Sequence, residues 1–284
     1  MVGFNDPPEL RVCGADFSGA LKPDYGSITF VCGDLRGSEL VLEAPRPCED
    51  RLDLLAAIQA RPGLWGVDFP FALPQALAAE LDAADWAEQL ELAGSWSREA
   101  FKEAVQRHGG GCNGSPEDNG LCFRATDLGV GAQSPIKTVR PDMAAMTYAG
   151  LKLLAALRAT TSGDRIYPFD GNALLPMGGG SVITEVYPRL FWRWASVAPG
   201  GAHTLPVLVE LAGSAGLTVR AAEFPDNASG HDRDAAAAGV GLALTARSVA
   251  RGEALAYSAE EKARMEREGL IVRPADFPTG PANG

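Results

Sequence analysis

The stretch that most constrains this chain is Trp65-Gly-Val-Asp-Phe-Pro-Phe-Ala-Leu-Pro74. Trp65 and Val67 supply the bulky and β-branched side chains that suit a strand. Pro70 cannot donate to a ladder, so the strand has to end near Phe69. Asp68 is thereby fixed at the end of an otherwise apolar strand. A carboxylate there is costly unless it is hydrogen-bonded, paired or bound to a cation. A solvated acid that caps the next turn would meet the same need, so the stretch alone does not decide between a site and a turn. A second copy tips the balance: Gly14-Ala-Asp-Phe-Ser-Gly19 puts Asp16 at the end of an earlier strand in the same Gly-x-Asp-Phe setting.

The rest of the chain builds a sheet around these two strands. Residues 9–17, 26–33 and 38–43 read as strands joined by short loops, an antiparallel meander with Gly33-Asp-Leu-Arg-Gly37 as a hairpin link. Residues 49–61 have helical spacing, closed by Pro62-Gly63, and the 64–69 strand follows, which implies a crossover back into the same sheet. Residues 75–107 are helical, 108–135 form a long glycine-rich loop, and 141–159 resume a helix. Strands are expected at 164–168, 181–187 and 217–220, with Pro188 stopping the second of them. Helices are expected at 204–214, 231–251 and 258–268, then a short strand at 269–274 and a frayed tail. The expected fold class is α/β: one domain over 1–284 with a mixed sheet, antiparallel in strands 1–3 and parallel beyond, flanked by helices, and a helical and glycine-loop insertion at about 75–160.

Composition removes several classes of function. Apolar residues make up 46% and charged residues 21%, an ordinary globular balance, and no apolar run reaches bilayer length, so no membrane partner is expected. Met1 to Glu9 lacks a basic cluster followed by an apolar core, so no secretory signal is expected. Five scattered cysteines do not make a disulfide framework, and Cys112 and Cys122 are too far apart for a tight zinc knuckle. The expectation is a cytoplasmic protein with reduced thiols, Cys13 and Cys32 being inert core residues. The net charge of −11 disfavours non-specific binding to long nucleic acid, which depends on Lys and Arg. Residues 97–165, with nine basic and seven acidic side chains, are where a phosphate contact is expected.

The candidate site residues follow from strand ends and charge. Asp16 and Asp68 are joined by Glu185, near the end of a later strand in Thr184-Glu-Val-Tyr-Pro188, and by Asp234 in His231-Asp-Arg-Asp-Ala235 at the start of an alanine-rich helix. Carboxylates on neighbouring strands, about 4.8 Å apart, can share a divalent cation. Asp232 has an ordinary reading as a helix-start acid, and His231 as a helix cap or as a residue that positions an Asp or a water. Ser18, in the turn after Asp16, is a secondary candidate. Arg124 and Lys137 are candidates to hold a phosphate, with Asp127 in the same segment and Arg189 as a weaker addition; pairing of Arg124 with Asp127 is the competing reading. Trp192 and Trp194 are read either as base-stacking residues or as part of a buried amphipathic segment.

Taken together, Gly-Ala-Asp-Phe-Ser-Gly, Val-Asp-Phe-Pro-Phe-Ala-Leu-Pro, Arg124-Ala-Thr-Asp127, Thr-Glu-Val-Tyr-Pro-Arg, His-Asp-Arg-Asp-Ala and the closing Glu-Gly-Leu-Ile-Val-Arg-Pro resemble a family of uncharacterised predicted nucleases with an RNase H-like fold. The resemblance runs in order from residue 10 to about 274. It implies that Asp16 is the first-strand metal carboxylate, Asp68 the fourth-strand one and Asp234 the acid of the C-terminal helix, with Glu185 matching a Glu-Val-x-Pro element. RuvC-type resolvases usually carry Glu at the fourth-strand position, so the shorter Asp68 is a departure. The expectation is therefore a Mg²⁺- or Mn²⁺-dependent nuclease or phosphodiesterase acting on nucleic acid or a small phosphodiester. Two alternatives share the core: a nucleotide-binding phosphotransferase of the actin-like ATPase type, which tight ATP binding would favour, and a non-catalytic scaffold.

Overall fold

The structure is a computed structural model, and it describes residues 9–20, 24, 26–109, 121–160, 163–195, 203–253 and 259–272. An eight-stranded mixed sheet runs through its centre. Its strands are β1 (Leu10–Asp16), β2 (Ile28–Arg36), β3 (Glu39–Leu42), β4 (Arg46–Cys48), β5 (Leu64–Asp68), β6 (Arg165–Tyr167), β7 (Val182–Glu185) and β8 (Thr218–Arg220). The order is β6-β7-β5-β1-β2-β3-β8, with β4 pairing β2. β1, β2 and β3 form the antiparallel meander, and β5 and β7 run parallel to β1.

Strand alternation divides the sheet into two buried faces. Cys13, Ala15, Trp65, Val67 and Ile183 point to one face. That face packs against α1 (Arg51–Ala60), α3 (Trp86–Ser95) and α6 (Met143–Thr160) through Leu54, Ile58, Leu90 and Leu154. Val12, Val31, Leu64 and Val182 point to the other. There the cover is α7 (Pro188–Ala195), α8 (Leu205–Ser214) and α9 (Gly230–Ala250).

The long helix α9 sets the position of the site. Ser229 caps it, its side chain accepting from the Asp232 N–H while the Asp232 side chain reaches back to the Ser229 N–H. The alanines and glycines that follow leave a nearly smooth surface. Gly14 on β1 lies directly beneath it, so close that a Cβ at Gly14 would collide with the backbone of Ala235 and Gly239. The small-residue composition of both partners is what lets the N-terminal turns of α9 sit on the end of β1.

Several elements differ from the sequence expectation. β2 continues to Arg36, and the hairpin is the turn at Gly37-Ser38, with Gly37 at φ 59°. Leu35 is buried and Asp34 pairs with Arg11 across the ladder, so the expected turn residues are strand residues. The helical stretch at 75–107 is three helices: α2 (Gln75–Glu80), α3 and α4 (Arg98–Gly109). The first break falls at Asp82, which takes φ 54°, and Asp85 starts α3 with a capping box. A short helix, α5 (Ala125–Val130), lies within the expected loop, and residues 110–120 of that loop lie outside the described residues. Pro188 not only follows β7 but opens α7, as suits a residue with no N–H to satisfy. The helix expected at 258–268 is α10 (Ala259–Glu268). The expected strand after it is reduced to a bridge between Glu185 and Ile271. Cys13 and Cys32, expected as free thiols, occupy directly paired positions on β1 and β2 and form a disulfide. Cys48 is free and buried.

Candidate functional site

The site is built at the carboxyl ends of β1 and β5. Val12, Gly14 and Asp16 alternate toward the α9 face, as do Leu64, Gly66 and Asp68. The two strands are parallel, with Gly14 paired to Gly66 and Asp16 to Asp68. The two acids therefore stand side by side on one face of the sheet, on strands about 4.8 Å apart. Both sit one step beyond a glycine that α9 or the loop after β7 approaches closely, since a Cβ at Gly66 would lie 2.6 Å from Val186 Cγ1.

Asp16 is buried, and its Oδ2 lies 2.6 Å from His231 Nδ1 in the first turn of α9. Burial raises the Asp16 pKa; the bond to His231 opposes this, while Asp234 and Asp232 add to it. The His231 pKa is raised by the Asp16 bond, against the opposing effect of its partial burial. Asp68 has no hydrogen-bond donor among the described residues. Its pKa is pushed well above the ordinary carboxylate value by burial first, then by the charges of Asp16, Asp234 and Glu185. Asp234 enters from α9, one turn beyond His231, and its Oδ1 accepts the Trp192 indole N–H of α7 at 2.6 Å. Asp16, Asp68 and Asp234 thus share one field, with His231 as the group that partners Asp16.

Asp232 turns away from this cluster and bonds the Ser229 N–H at 2.8 Å, serving the helix start. Ser18 also serves local structure: its Oγ accepts from the Ala20 N–H and its carbonyl accepts from Arg51.

Glu185 and Arg124 form a separate centre. Glu185 pairs with Val67, not with Asp68, so alternation sends it to the opposite face; Thr184 is the β7 residue beside Gly66. Arg124 is fully buried between two acids. Its Nε and Nη2 donate to Asp127 at 3.0 and 2.6 Å, Nη2 and Nη1 donate to Glu185 at 2.6 and 2.7 Å, and Nη1 also donates to the Glu268 carbonyl at 3.2 Å. Every N–H of the guanidinium is used, so none is left for a phosphate. Burial works against the Arg124 charge, but Asp127 and Glu185 outweigh it and hold its pKa up. The Glu268 carboxylate joins the same knot by accepting the N–H groups of Gln75 and Ala125, at the starts of α2 and α5. This centre fastens α5, β7, the turn after β5 and the end of α10 to one another.

Of the other expected phosphate ligands, Lys137 bonds Gln133 at 2.8 Å. Arg189 is exposed on α7 and lies within electrostatic reach of Tyr187, as Asp68 does. Sequence reasoning did not identify the support that Trp192 gives Asp234, 42 residues away, nor the role of Glu268.

The donor set suits a hard divalent cation, since carboxylate oxygens are what Mg²⁺ and Mn²⁺ prefer. Asp68 has both oxygens unbonded among the described residues, and Asp16 and Asp234 each have one oxygen beyond the bonds given above. Among the described residues no group of three or more His, Cys, Asp or Glu side chains is assembled to hold a metal ion. Comparisons with protein-family models, curated proteins and solved structures returned no match. Among the described residues no helix is long and apolar enough to cross a membrane.

Proposed function

We propose that this protein is a divalent-metal-dependent nuclease or phosphodiesterase with an RNase H-like fold. The observation that carries the reading is the in-register pairing of Asp16 with Asp68 on one face of parallel strands, beside Asp234, with no Lys or Arg among the described residues offsetting the charge at Asp68. The strand order β3-β2-β1-β5-β7, antiparallel and then parallel, supports the fold assignment. Asp68 departs from the Glu usual in RuvC-type enzymes, and the Val186 and Leu242 side chains crowd the same face of β5 at Gly66, which suits the shorter acid.

Asp16, Asp68 and Asp234 would hold Mg²⁺ or Mn²⁺, which when bound supplies an activated water and stabilises charge on the phosphate. The chain's own residues orient this set. His231 fixes the Asp16 carboxylate through Nδ1 and turns Nε2 away from it. Trp192 fixes Asp234, and Asp68 has no hydrogen bond among the described residues.

The test is hydrolysis of bis(p-nitrophenyl) phosphate and of a labelled oligonucleotide with Mn²⁺, set beside calorimetric Mn²⁺ binding. Wild-type protein should turn over one of these substrates, and Asp68→Asn should lose both turnover and Mn²⁺ binding. Wild-type protein that hydrolyses neither and binds no Mn²⁺ would refute the reading.

A further inference from the structure

Trp192 does more than hold Asp234. It is buried to 1% exposure, so it cannot itself receive a base. Its ring instead lies under His203, with centroids 4.9 Å apart and planes within 7° of parallel. His203 is exposed, and one face of its imidazole is covered by Trp192, so its accessible surface is its edge and its outer face. The order from inside to outside is Asp234, the Trp192 indole, then the His203 ring, and it ends in solvent. A flat ring presented outward on a rigid aromatic base is what stacks an unpaired nucleobase.

The surrounding charge fits the same ligand. α7 carries Arg189 and Arg193 one helical turn apart, both exposed. Arg193 is anchored by the carbonyls of Val130 and Gly131, each 3.0 Å away, neither of which neutralises its charge. Arg189 forms no ion pair among the described residues and lies against the Tyr187 side chain. In a chain of net charge −11, two exposed arginines with no ion pair among the described residues, both acting on Tyr187 as Asp68 does, form a local exception.

We propose that the outer face of His203 is a subsite for an unpaired nucleobase, and that Arg189 and Arg193 receive the adjoining phosphates, so that the substrate is a single strand. This rests on the nuclease reading above and names its substrate class. A duplex cannot use the subsite, because its bases are already stacked and paired.

The probe is a fluorescein-labelled oligothymidylate of about twelve nucleotides, followed by anisotropy in EDTA so that binding is read without hydrolysis. His203→Ala should weaken binding about tenfold and His203→Phe should restore it, since one base stacked on an aromatic ring contributes on that order. An abasic oligomer of equal length should bind more weakly than oligothymidylate and should not distinguish His203→Ala from wild type. Arg189→Ala should weaken both oligomers and flatten the salt dependence. Oligothymidylate binding that ignores His203→Ala, equal losses on the abasic oligomer, or a duplex bound as tightly with the same His203 dependence would each overturn the proposal. The nuclease reading stands or falls separately, on Mn²⁺-dependent turnover of bis(p-nitrophenyl) phosphate, which has no base.

Discussion

Arg124→Met separates a structural role for this residue from the phosphate-binding role its sequence position suggests. The guanidinium stands between Asp127 and Glu185, with 2.6 Å contacts to both and all three side chains almost wholly buried. Methionine fills much of the same volume but leaves the two carboxylates facing each other. Each would keep one backbone donor, Asp127 the Arg124 N–H at 2.9 Å and Glu185 the Phe71 N–H at 3.0 Å. Breaking a buried pair by removing one partner costs about 3–5 kcal/mol. At about 2–4 °C per kcal/mol for a chain approaching this size, the melting temperature should fall by roughly 6–20 °C. Burial already raises the Glu185 pKa against the pull of Arg124, and without Arg124 it rises further. An acid whose folded pKa is raised destabilises the fold above its unfolded pKa, so the deficit should be smaller at pH 5 than at pH 8. The assay is thermal unfolding at both pH values, with Arg124→Met/Glu185→Gln as the second variant, which should recover part of the loss. A melting temperature within 2 °C of wild type, by the same rough measure, accompanied by weaker binding of a phosphate ester, would refute the argument and restore Arg124 as a ligand.

Four other outcomes follow from the same geometry. Asp68→Asn should raise the melting temperature of metal-free protein while abolishing Mn²⁺-dependent turnover, because it removes a charge disfavoured by burial and by its acidic neighbours; a lower melting temperature would contradict the field described at Asp68. Metal-free wild-type protein should lose stability as pH rises. The folded pKa values of Asp16 and Asp68 lie above 3.8, so both acids destabilise increasingly above that value, and the His231 contribution, complete below 6.5, fades as pH passes its raised folded pKa. Melting curves from pH 5 to 9 check this, and saturating Mn²⁺ should flatten the trend. Gly14→Ala should cost about 1–3 kcal/mol or more by forcing α9 off β1, and should reduce turnover through displacement of Asp234; urea unfolding and the phosphodiester assay read the two effects. Burial pushes the Cys48 thiol up to about 12, so native protein treated with iodoacetamide near neutral pH should leave Cys48 unlabelled, and unfolded protein should label it.

What could be read from the sequence was what is encoded locally. Gly-x-Asp-Phe twice, once with a proline behind it, locates two strand ends, and the two strands prove to be neighbours in register. The meander and the crossover were equally legible, because short loops and a helix between strands leave few topologies. Glu185 was placed with the aspartates because it also ends a strand, but which face it takes depends on the β5–β7 register, set between segments more than a hundred residues apart. The net positive charge of its segment favours Arg124 as a phosphate ligand, but composition says nothing about burial. The competing pairing with Asp127, three residues on, is what the structure has, while its other partners, Glu185 and Glu268, are 61 and 144 positions away. The bond between Trp192 and Asp234 has no signal in the sequence, since it joins two helices across 42 residues.

The two acidic centres can be compared, and the comparison is the physical reason to assign function to one of them. One lies at the ends of β1 and β5 and the other at the end of the neighbouring β7, on opposite faces of the sheet, and burial raises a carboxylate pKa in each. On one face the chain supplies Arg124, satisfies every donor and acceptor around it, and closes the knot with Glu268, which leaves nothing for a ligand to improve. On the other face His231 partners Asp16 and Trp192 bonds Asp234, but Asp68 receives no donor among the described residues. A fold that needed only rigidity there could have used an asparagine or an apolar side chain at position 68 without that cost. Keeping an uncompensated acid in register with a second one, beneath a helix that brings a third, makes sense if the missing positive charge arrives from solution. A cation that binds there should therefore stabilise the folded protein, whether or not a substrate is present.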